Sequence, residues 1–273
     1  MQRSMKLRLQ KGRKRLLVSL AGIIIGILGV TIIQALSSSA KAISKQVNTV
    51  QFVSSQPVIS AKKSVPEKYN GQIRKLAYLT FDDGPSQYQD EILDVLAKHD
   101  IKATFFMIGP NISAYKESVR RLVKEGHYPG LHSMTHNYKR LYSEGQIVNE
   151  MKQVQAIVQD VTGVEPDLTR CPYGSMPGLS QGLRDQMAAA GLKQWDWTVD
   201  SSDWRYPKNP NAVVQTVLSQ SSKDIEVILL HEKEQSLQAL PAIIQGLRQK
   251  GYEFEVYDEA AHFSLNFWHD ERL

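Results

Sequence analysis

Leu76-Ala77-Tyr78-Leu79-Thr80-Phe81-Asp82-Asp83-Gly84-Pro85 is the stretch on which the fold turns. Its first six residues are apolar or β-favouring, which predicts a strand over Leu76–Phe81. Gly-Pro then breaks the strand. Between them stand two adjacent carboxylates, an awkward pair at a strand end. Their charges repel, and consecutive strand residues point to opposite faces. An ordinary Asp-Gly-Pro turn accounts for the glycine and proline without any chemistry. A split role accounts for both aspartates: one carboxylate binds a metal ion, and the other takes a proton from water.

Outward from this strand, short apolar runs alternate with amphipathic segments. Further strands are predicted at Ala103–Ile108, immediately before His132, and at Leu168–Arg170, Gln194–Val199, Glu226–Leu230 and Glu253–Val256. Helices are predicted over 88–99, 114–125, 144–161, 179–190, 210–220 and 236–250. Alternating β and α segments imply an α/β fold with a parallel sheet under helical cover. Seven strands in so short a domain suit a distorted (β/α)7-type barrel better than an open doubly wound sheet. Barrels of this kind carry their chemistry at the C-terminal ends of the strands. The reactive residues of this chain fall at those ends. There is no internal repeat of solenoid period and no Gly-rich phosphate loop.

His132-Ser133-Met134-Thr135-His136 places two imidazoles at i, i+4. On a helical turn they would share a face and hold one metal ion together, although this spacing alone is a weak signal. With Asp83 the set becomes two imidazoles and a carboxylate, with positions left for water and substrate. Arg170-Cys171-Pro172-Tyr173-Gly174 follows another strand. Its Arg can hold a carboxylate by paired hydrogen bonds. Its Pro-Tyr-Gly can bend the backbone so that an N–H faces an oxyanion. An ordinary turn with a surface Arg is the plain alternative. Cys171, the one cysteine, excludes an internal disulfide and reads as a small buried hydrophobe rather than a fourth ligand. Asp200-Ser201-Ser202-Asp203-Trp204 and Leu229-Leu230-His231-Glu232 end the next two strands. A histidine there is usually a packed one; paired with a carboxylate it stays protonated and can act as a general acid.

Taken in order, these segments resemble the polysaccharide deacetylases of carbohydrate esterase family four, the group with the chitooligosaccharide deacetylase (NodB) homology domain. TFDDGP is specific, and HSMTH, RCPYG, DSSDW and LLH follow it in sequence; the match covers roughly residues 75–257. The resemblance implies a hydrolase that removes acetyl groups, with one divalent metal, zinc before cobalt or manganese. It implies Asp82 as base, and Asp83, His132 and His136 as metal ligands. Arg170 would orient the base, and the Tyr173 N–H would help form an oxyanion hole. Asp203 would partner the acid, His231, and Trp204 and Leu229 would wall the pocket for the acetyl methyl group. Three positions depart from the usual pattern: Leu131, where Asn is frequent; Cys171, where Pro is frequent; and Glu232, where Asp is frequent. They bear on substrate fit more than on the chemistry. The implied substrate is an N-acetylglucosamine polymer of the cell wall, peptidoglycan first. The alternatives are an exopolysaccharide, an O-acetylated xylan-type polymer, or a catalytically silent glycan-binding relative. No protein partner is predicted.

The 273 residues divide unevenly by charge. Residues 1–15 hold seven Lys/Arg and no acid, and residues 37–68 hold five Lys against one Glu. The remaining residues, 69–273, carry 21 basic and 27 acidic groups, a net charge of −6. The pI of 9.1 therefore belongs to the tail and linker, and nucleic-acid binding is not expected. Leu16–Leu36 is an uncharged run whose helix would be roughly 30 Å long, the thickness of a bilayer core. A basic tail (1–15), a transmembrane helix (16–36), a linker (37–70) and a catalytic domain (71–273) are expected. The basic tail keeps the N-terminus cytoplasmic and the domain outside the membrane. Secretion after cleavage near Ala42 is the alternative, because Ala40-Lys41-Ala42 resembles a signal-peptidase site. Gly22 to Gly26 fits a GxxxG helix-pairing motif, and Val50–Val53 could add a strand to the domain.

Overall fold

The computed structural model describes Lys68–Tyr69 and residues 72–273. The expected transmembrane helix, the possible cleavage site, the Gly22–Gly26 motif and the Val50–Val53 strand lie outside the described residues. Among the described residues no helix is long and apolar enough to cross a membrane. The described residues form one compact unit, entered by a small antiparallel hairpin, Lys68–Tyr69 with Gln72–Ile73.

The main sheet is parallel and curls on itself. Its strands are β1 (Lys75–Gly84), β2 (Thr104–Met107), β3 (Tyr128–Leu131), β4 (Leu168–Thr169), β5 (Lys193–Gln194), β6 (Val199–Asp200), β7 (Ile225–His231) and β8 (Tyr252–Glu255). They run in the order β5-β4-β3-β2-β1-β7-β6, with β8 pairing the first half of β1. Helices α1 (Gln89–Lys98), α2 (Gly109–Ala114), α3 (Lys116–Lys124), α4 (Ile147–Thr162), α5 (Gln181–Ala189), α6 (Pro210–Gln220) and α7 (Glu234–Gln249) fill the connections. This architecture fits the expected (β/α)7-type barrel, with two corrections. The predicted helix at 114–125 is α3, and a short helix that the sequence reading does not include, α2, precedes it and meets it at Tyr115. The predicted strand Gln194–Val199 is two strands, β5 and β6, which sit at opposite ends of the sheet. The chain from Trp195 to Thr198 crosses the seam that hydrogen bonds leave open: the Trp195 N–H reaches Thr169 of β4, and the Thr198 N–H reaches Val227 of β7.

β1 is buried on both faces, as parallel strands are. Ala77, Leu79 and Phe81 point out to the helices, where Phe81 stacks on Phe105 at a 5.0 Å centroid distance. Each such ring contributes roughly 2–3 kcal/mol of burial. α7 turns Ala239, Leu240, Ile243, Ile244 and Leu247 toward this layer at helical spacing. The opposite set, Tyr78, Thr80 and Asp82, faces the barrel interior. There Tyr78 packs against a second cluster of Phe106, Leu168, Trp195, Val227 and Tyr257. The interior is thus plugged with rings at one end and lined with polar groups at the C-terminal end of the strands.

Candidate active site

The two aspartates reach one cavity because β1 is irregular between them. Asp82 pairs with Phe106 and Gly84 with Met107, so Asp83 is an extra residue in the ladder. It adopts φ 66°, in the left-handed region. A bulge of this kind re-aims a side chain that would otherwise face away. The conflict posed by two neighbouring strand residues is resolved this way: His132 Nε2 lies 3.9 Å from Asp82 Oδ2 and 3.4 Å from Asp83 Oδ1.

Asp83, His132 and His136 converge, with one ligand atom from each lying within 4.8 Å of the others. Asp83 Oδ1 stands 3.4 Å from Nε2 of both histidines. Two donors each about 2.1 Å from one tetrahedral ion are themselves roughly 3.4 Å apart. Asp83 Oδ1 is buried and has no hydrogen-bond partner among the described residues. A shielded carboxylate oxygen without a donor, facing two imidazole nitrogens, fits a divalent cation. Burial works against the charge on Asp83, but the neighbouring His132, with His231 and His136 behind, holds its carboxyl below the usual carboxylate range.

The histidines do not share a helical face. Residues 132–136 form a loop after β3, with Ser133 at φ 72° and His136 at φ 49°. The loop is held from a distance. Glu150, fully buried on α4, accepts the N–H groups of Met134 and Thr135 at 3.0 and 2.9 Å, and Arg140 Nε at 2.6 Å. The rings are turned by their far nitrogens. His132 Nδ1 lies 2.7 Å from the Arg170 carbonyl oxygen, to which it donates, so its Nε2 faces the cluster with a lone pair. His136 Nδ1 lies 3.2 Å from the Tyr173 hydroxyl.

Asp82 lies beside this cluster but belongs to a different set of contacts. It is 3 % exposed, and its Oδ1 accepts Arg170 Nη1 at 2.9 Å. Arg170 is itself fully buried over the Phe106 ring, and spends its other donors on Thr80 and on the Trp195 and Asp196 carbonyls. Across the site, His231 ends β7 opposite Asp82. Its Nδ1 is 2.7 Å from Asp203 Oδ1, and its N–H donates to Asp203 Oδ2 at 2.7 Å. Ser236 Oγ donates to the same Oδ2. Burial opposes a charge on His231, but Asp203 overrides it and raises the imidazole above its ordinary value. Asp203 is likewise disfavoured by burial yet held low by the hydrogen bond from His231.

Tyr173 is exposed with φ 67°, and its N–H has no acceptor among the described residues. Trp204 is exposed at the rim under the Arg205 guanidinium. Leu229 is buried on the interior face of β7, two residues before His231. Cys171 is buried in the core and outside the cluster; burial pushes its thiol up. Leu131 is a core residue. Glu232 folds under the Asp-Gly-Pro turn. Its Oε2 accepts the Ser86 N–H at 2.7 Å, and burial pushes its carboxyl up to about 7. A Cβ on Gly84 would stand 1.8 Å from Glu232 Oε1, so a larger residue there would have to displace the Glu232 carboxyl.

Two supporting residues escape the sequence reading. Glu150 carries a visible signal: it is an acid on the helix face that also bears Ile147, Met151 and Val154. Asp196 lies in the misread strand. It accepts the Ser175 and Phe267 N–H groups at 2.9 and 2.7 Å, and so ties the Arg170–Ser175 loop to the C-terminal segment.

A curled parallel sheet with an Asp-His-His cluster that could hold a metal ion, a buried Arg–Asp pair and an Asp–His pair at its C-terminal rim defines a hydrolase of the deacetylase kind. The chain belongs to the polysaccharide deacetylase family. The family's sequence pattern matches residues 70–195. A peptidoglycan-N-acetylglucosamine deacetylase of Bacillus cereus is 50 % identical over 266 residues, 95 % of this chain and 97 % of that protein. The crystal structure of the polysaccharide deacetylase Bc1974 from Bacillus cereus superposes with a TM-score of 0.73 at 53 % identity, covering 73 % of this chain and all of that one. The catalytic domain of a peptidoglycan N-acetylglucosamine deacetylase from Eubacterium rectale follows with a TM-score of 0.66 at 33 % identity, covering 76 % of this chain and 99 % of that one.

Proposed function

We propose that this deacetylase hydrolyses the N-acetyl groups of N-acetylglucosamine units in peptidoglycan, using one divalent ion, zinc first and cobalt or manganese as alternatives. The observation that carries the reading is the unpartnered Asp83 Oδ1, 3.4 Å from two imidazoles and flanked by the Asp82–Arg170 and Asp203–His231 pairs. The relative at 50 % identity supports the choice of polymer.

An ion held by Asp83, His132 and His136 would polarise the amide carbonyl and make a bound water more acidic. Asp82, fixed by Arg170, accepts the proton of the attacking water. The Tyr173 N–H donates to the oxyanion as the carbonyl becomes tetrahedral. His231, protonated through its pairing with Asp203, gives its proton to the departing nitrogen. Acetate and a glucosamine unit result. Trp204 and Leu229 enclose the acetyl methyl group.

The basic tail and the Leu16–Leu36 run support a domain held outside the cytoplasmic membrane, at the wall. A reporter fused after Leu273 should work only if it functions outside the cell; a cytoplasmic readout reverses the orientation. For the activity, acetate release is measured by mass spectrometry on muropeptides, chitooligosaccharides and acetylated xylan. Preference for muropeptides supports the proposal, and release from xylan alone overturns it.

A further inference from the structure

The Tyr173 side chain makes a contact that the proposed chemistry leaves unused. Its hydroxyl lies 2.8 Å from the carbonyl oxygen of His136 and 3.2 Å from Nδ1 of the same residue. The rings of Tyr173 and His136 meet at 4.7 Å between centroids, inclined by 60°. One phenol thus grips both the backbone and the ring of one histidine.

The proton count fixes the roles. A phenol has one hydrogen. The carbonyl oxygen can only accept, so the hydroxyl hydrogen goes there. The hydroxyl oxygen is then left facing Nδ1 with lone pairs alone, and the contact is bonding only if Nδ1 carries the hydrogen. In a neutral imidazole that leaves the lone pair on Nε2, the atom 3.4 Å from Asp83 Oδ1. The matching device at His132 is a main-chain carbonyl, that of Arg170. At His136 it is a side chain, and so it can be removed by substitution.

We infer that Tyr173 is a positioning residue for the metal site, its hydroxyl selecting the metal-binding tautomer and orientation of His136. This rests on the proposed metal reading of the Asp83-His132-His136 cluster. A corollary links two parts of the site. Tyr173 φ is 67° and His136 φ is 49°, so both residues hold left-handed backbones that the shared hydroxyl braces against each other. The main-chain N–H assigned to the oxyanion is therefore located partly by the same bond that orients His136.

The test is Tyr173→Phe in the full-length chain. The substitution keeps the ring and the backbone N–H, and Tyr173 is 58 % exposed, so the fold should be untouched by circular dichroism. Apo-protein is titrated with zinc chloride against a chelating dye of known affinity. Losing the partner of a ligating imidazole typically weakens metal binding about 10–100-fold, and a weakening of at least about tenfold is expected. Zinc affinity is the deciding readout; kcat at saturating zinc should fall as well, because the lost bond helps locate the Tyr173 N–H. Unchanged zinc affinity overturns the inference while leaving the proposed function standing. A parent protein that binds no zinc, cobalt or manganese overturns both. A large fall in kcat at saturating zinc with unaltered affinity also overturns it, because it would place the hydroxyl on the substrate instead.

Discussion

Asp82 and Asp83 are neighbours in the chain, yet they live in opposite regimes. Around Asp82, His231 and Asp203 the buried polar atoms are matched. Arg170 meets Asp82, Asp203 receives His231 twice and Ser236 once, and Arg170 is itself satisfied by Thr80 and two carbonyls. Around Asp83, Oδ1 is buried without a donor, and the two imidazole nitrogens facing it stand 3.4 Å away. A native protein rarely leaves a buried carboxylate oxygen unpaired, because the loss costs about 1–3 kcal/mol or more for a charged group. The matched half sets protonation states in advance. The unmatched half is the part that the proposed metal ion would complete.

The sharpest test of that contrast exchanges the roles of the two aspartates. Asp82→Asn should lower kcat by about a thousandfold or more, near the upper range for loss of a general base, while metal content by atomic absorption stays at the parent level. Asp83→Asn should abolish both turnover and stoichiometric metal. The opposite pattern would show that the matched and unmatched halves have been assigned the wrong way round. In the parent, chelation should remove activity and added zinc restore it; full activity in metal-free protein would remove the reason for the unpaired oxygen.

The next largest effect belongs to stability. Arg170→Met leaves Asp82 buried with no cation, and breaking such a pair typically costs about 3–5 kcal/mol. Urea unfolding should show a loss of that size with the metal removed. A loss under about 1 kcal/mol would mean that the Asp82 side of the site does not depend on internal pairing.

A subtler change probes the acid. Asp203 raises His231, so the paired imidazolium stabilises the fold below the ordinary histidine value, and that contribution fades as pH rises through the raised one. Asp203 is depressed, so its share is present above the ordinary carboxylate range and lost as pH falls through the lowered value. Activity should follow a bell-shaped pH profile whose basic limb reports His231. Asp203→Asn should move that limb to lower pH without moving the acidic limb. A limb that stays in place would detach His231 from the proton donation.

The smallest effect is expected at Ser236. Ser236→Ala removes one donor from Asp203 Oδ2 and leaves the His231 N–H on the same oxygen. A loss of about 1 kcal/mol is expected, with the basic limb shifted slightly upward, because a less satisfied carboxylate binds the His231 proton more tightly. A shift as large as that of Asp203→Asn would place Ser236 in the proton relay itself.

The sequence exposes the matched half and the unmatched half to different degrees. The strands that carry Asp82 and His231, and the one that ends just before Arg170, follow from period and composition, because a strand end is a local property. The arrangement of His132 and His136 does not. Their i, i+4 spacing is what a helix would give, but Glu150 captures the intervening N–H groups from α4 and holds the loop open. The bulge at Asp83 depends on where Phe106 and Met107 pair across the sheet, which no single stretch of chain encodes. The division of Gln194–Val199 into two strands has the same origin. The run is locally strand-like throughout, and only curling of the sheet brings its two ends to different neighbours. Asp196, hidden in that run, acquires its partners from loops on either side of it in sequence.

Eight non-glycine residues in the described chain have left-handed backbones, and five of them are Asp83, Ser133, His136, Tyr173 and Ser202. Each of those five is a site residue or the neighbour of one. Such conformations cost of order 1–3 kcal/mol where a side chain is present, and glycine would relieve that cost. The consequence is a map of incompatible pressures. A selection for thermal stability alone should drift toward glycine at these five places and lose the Asp83 and His136 side chains of the proposed metal site as it gains degrees of Tm. A selection for turnover should hold all five and seek its stability in the helical layer instead.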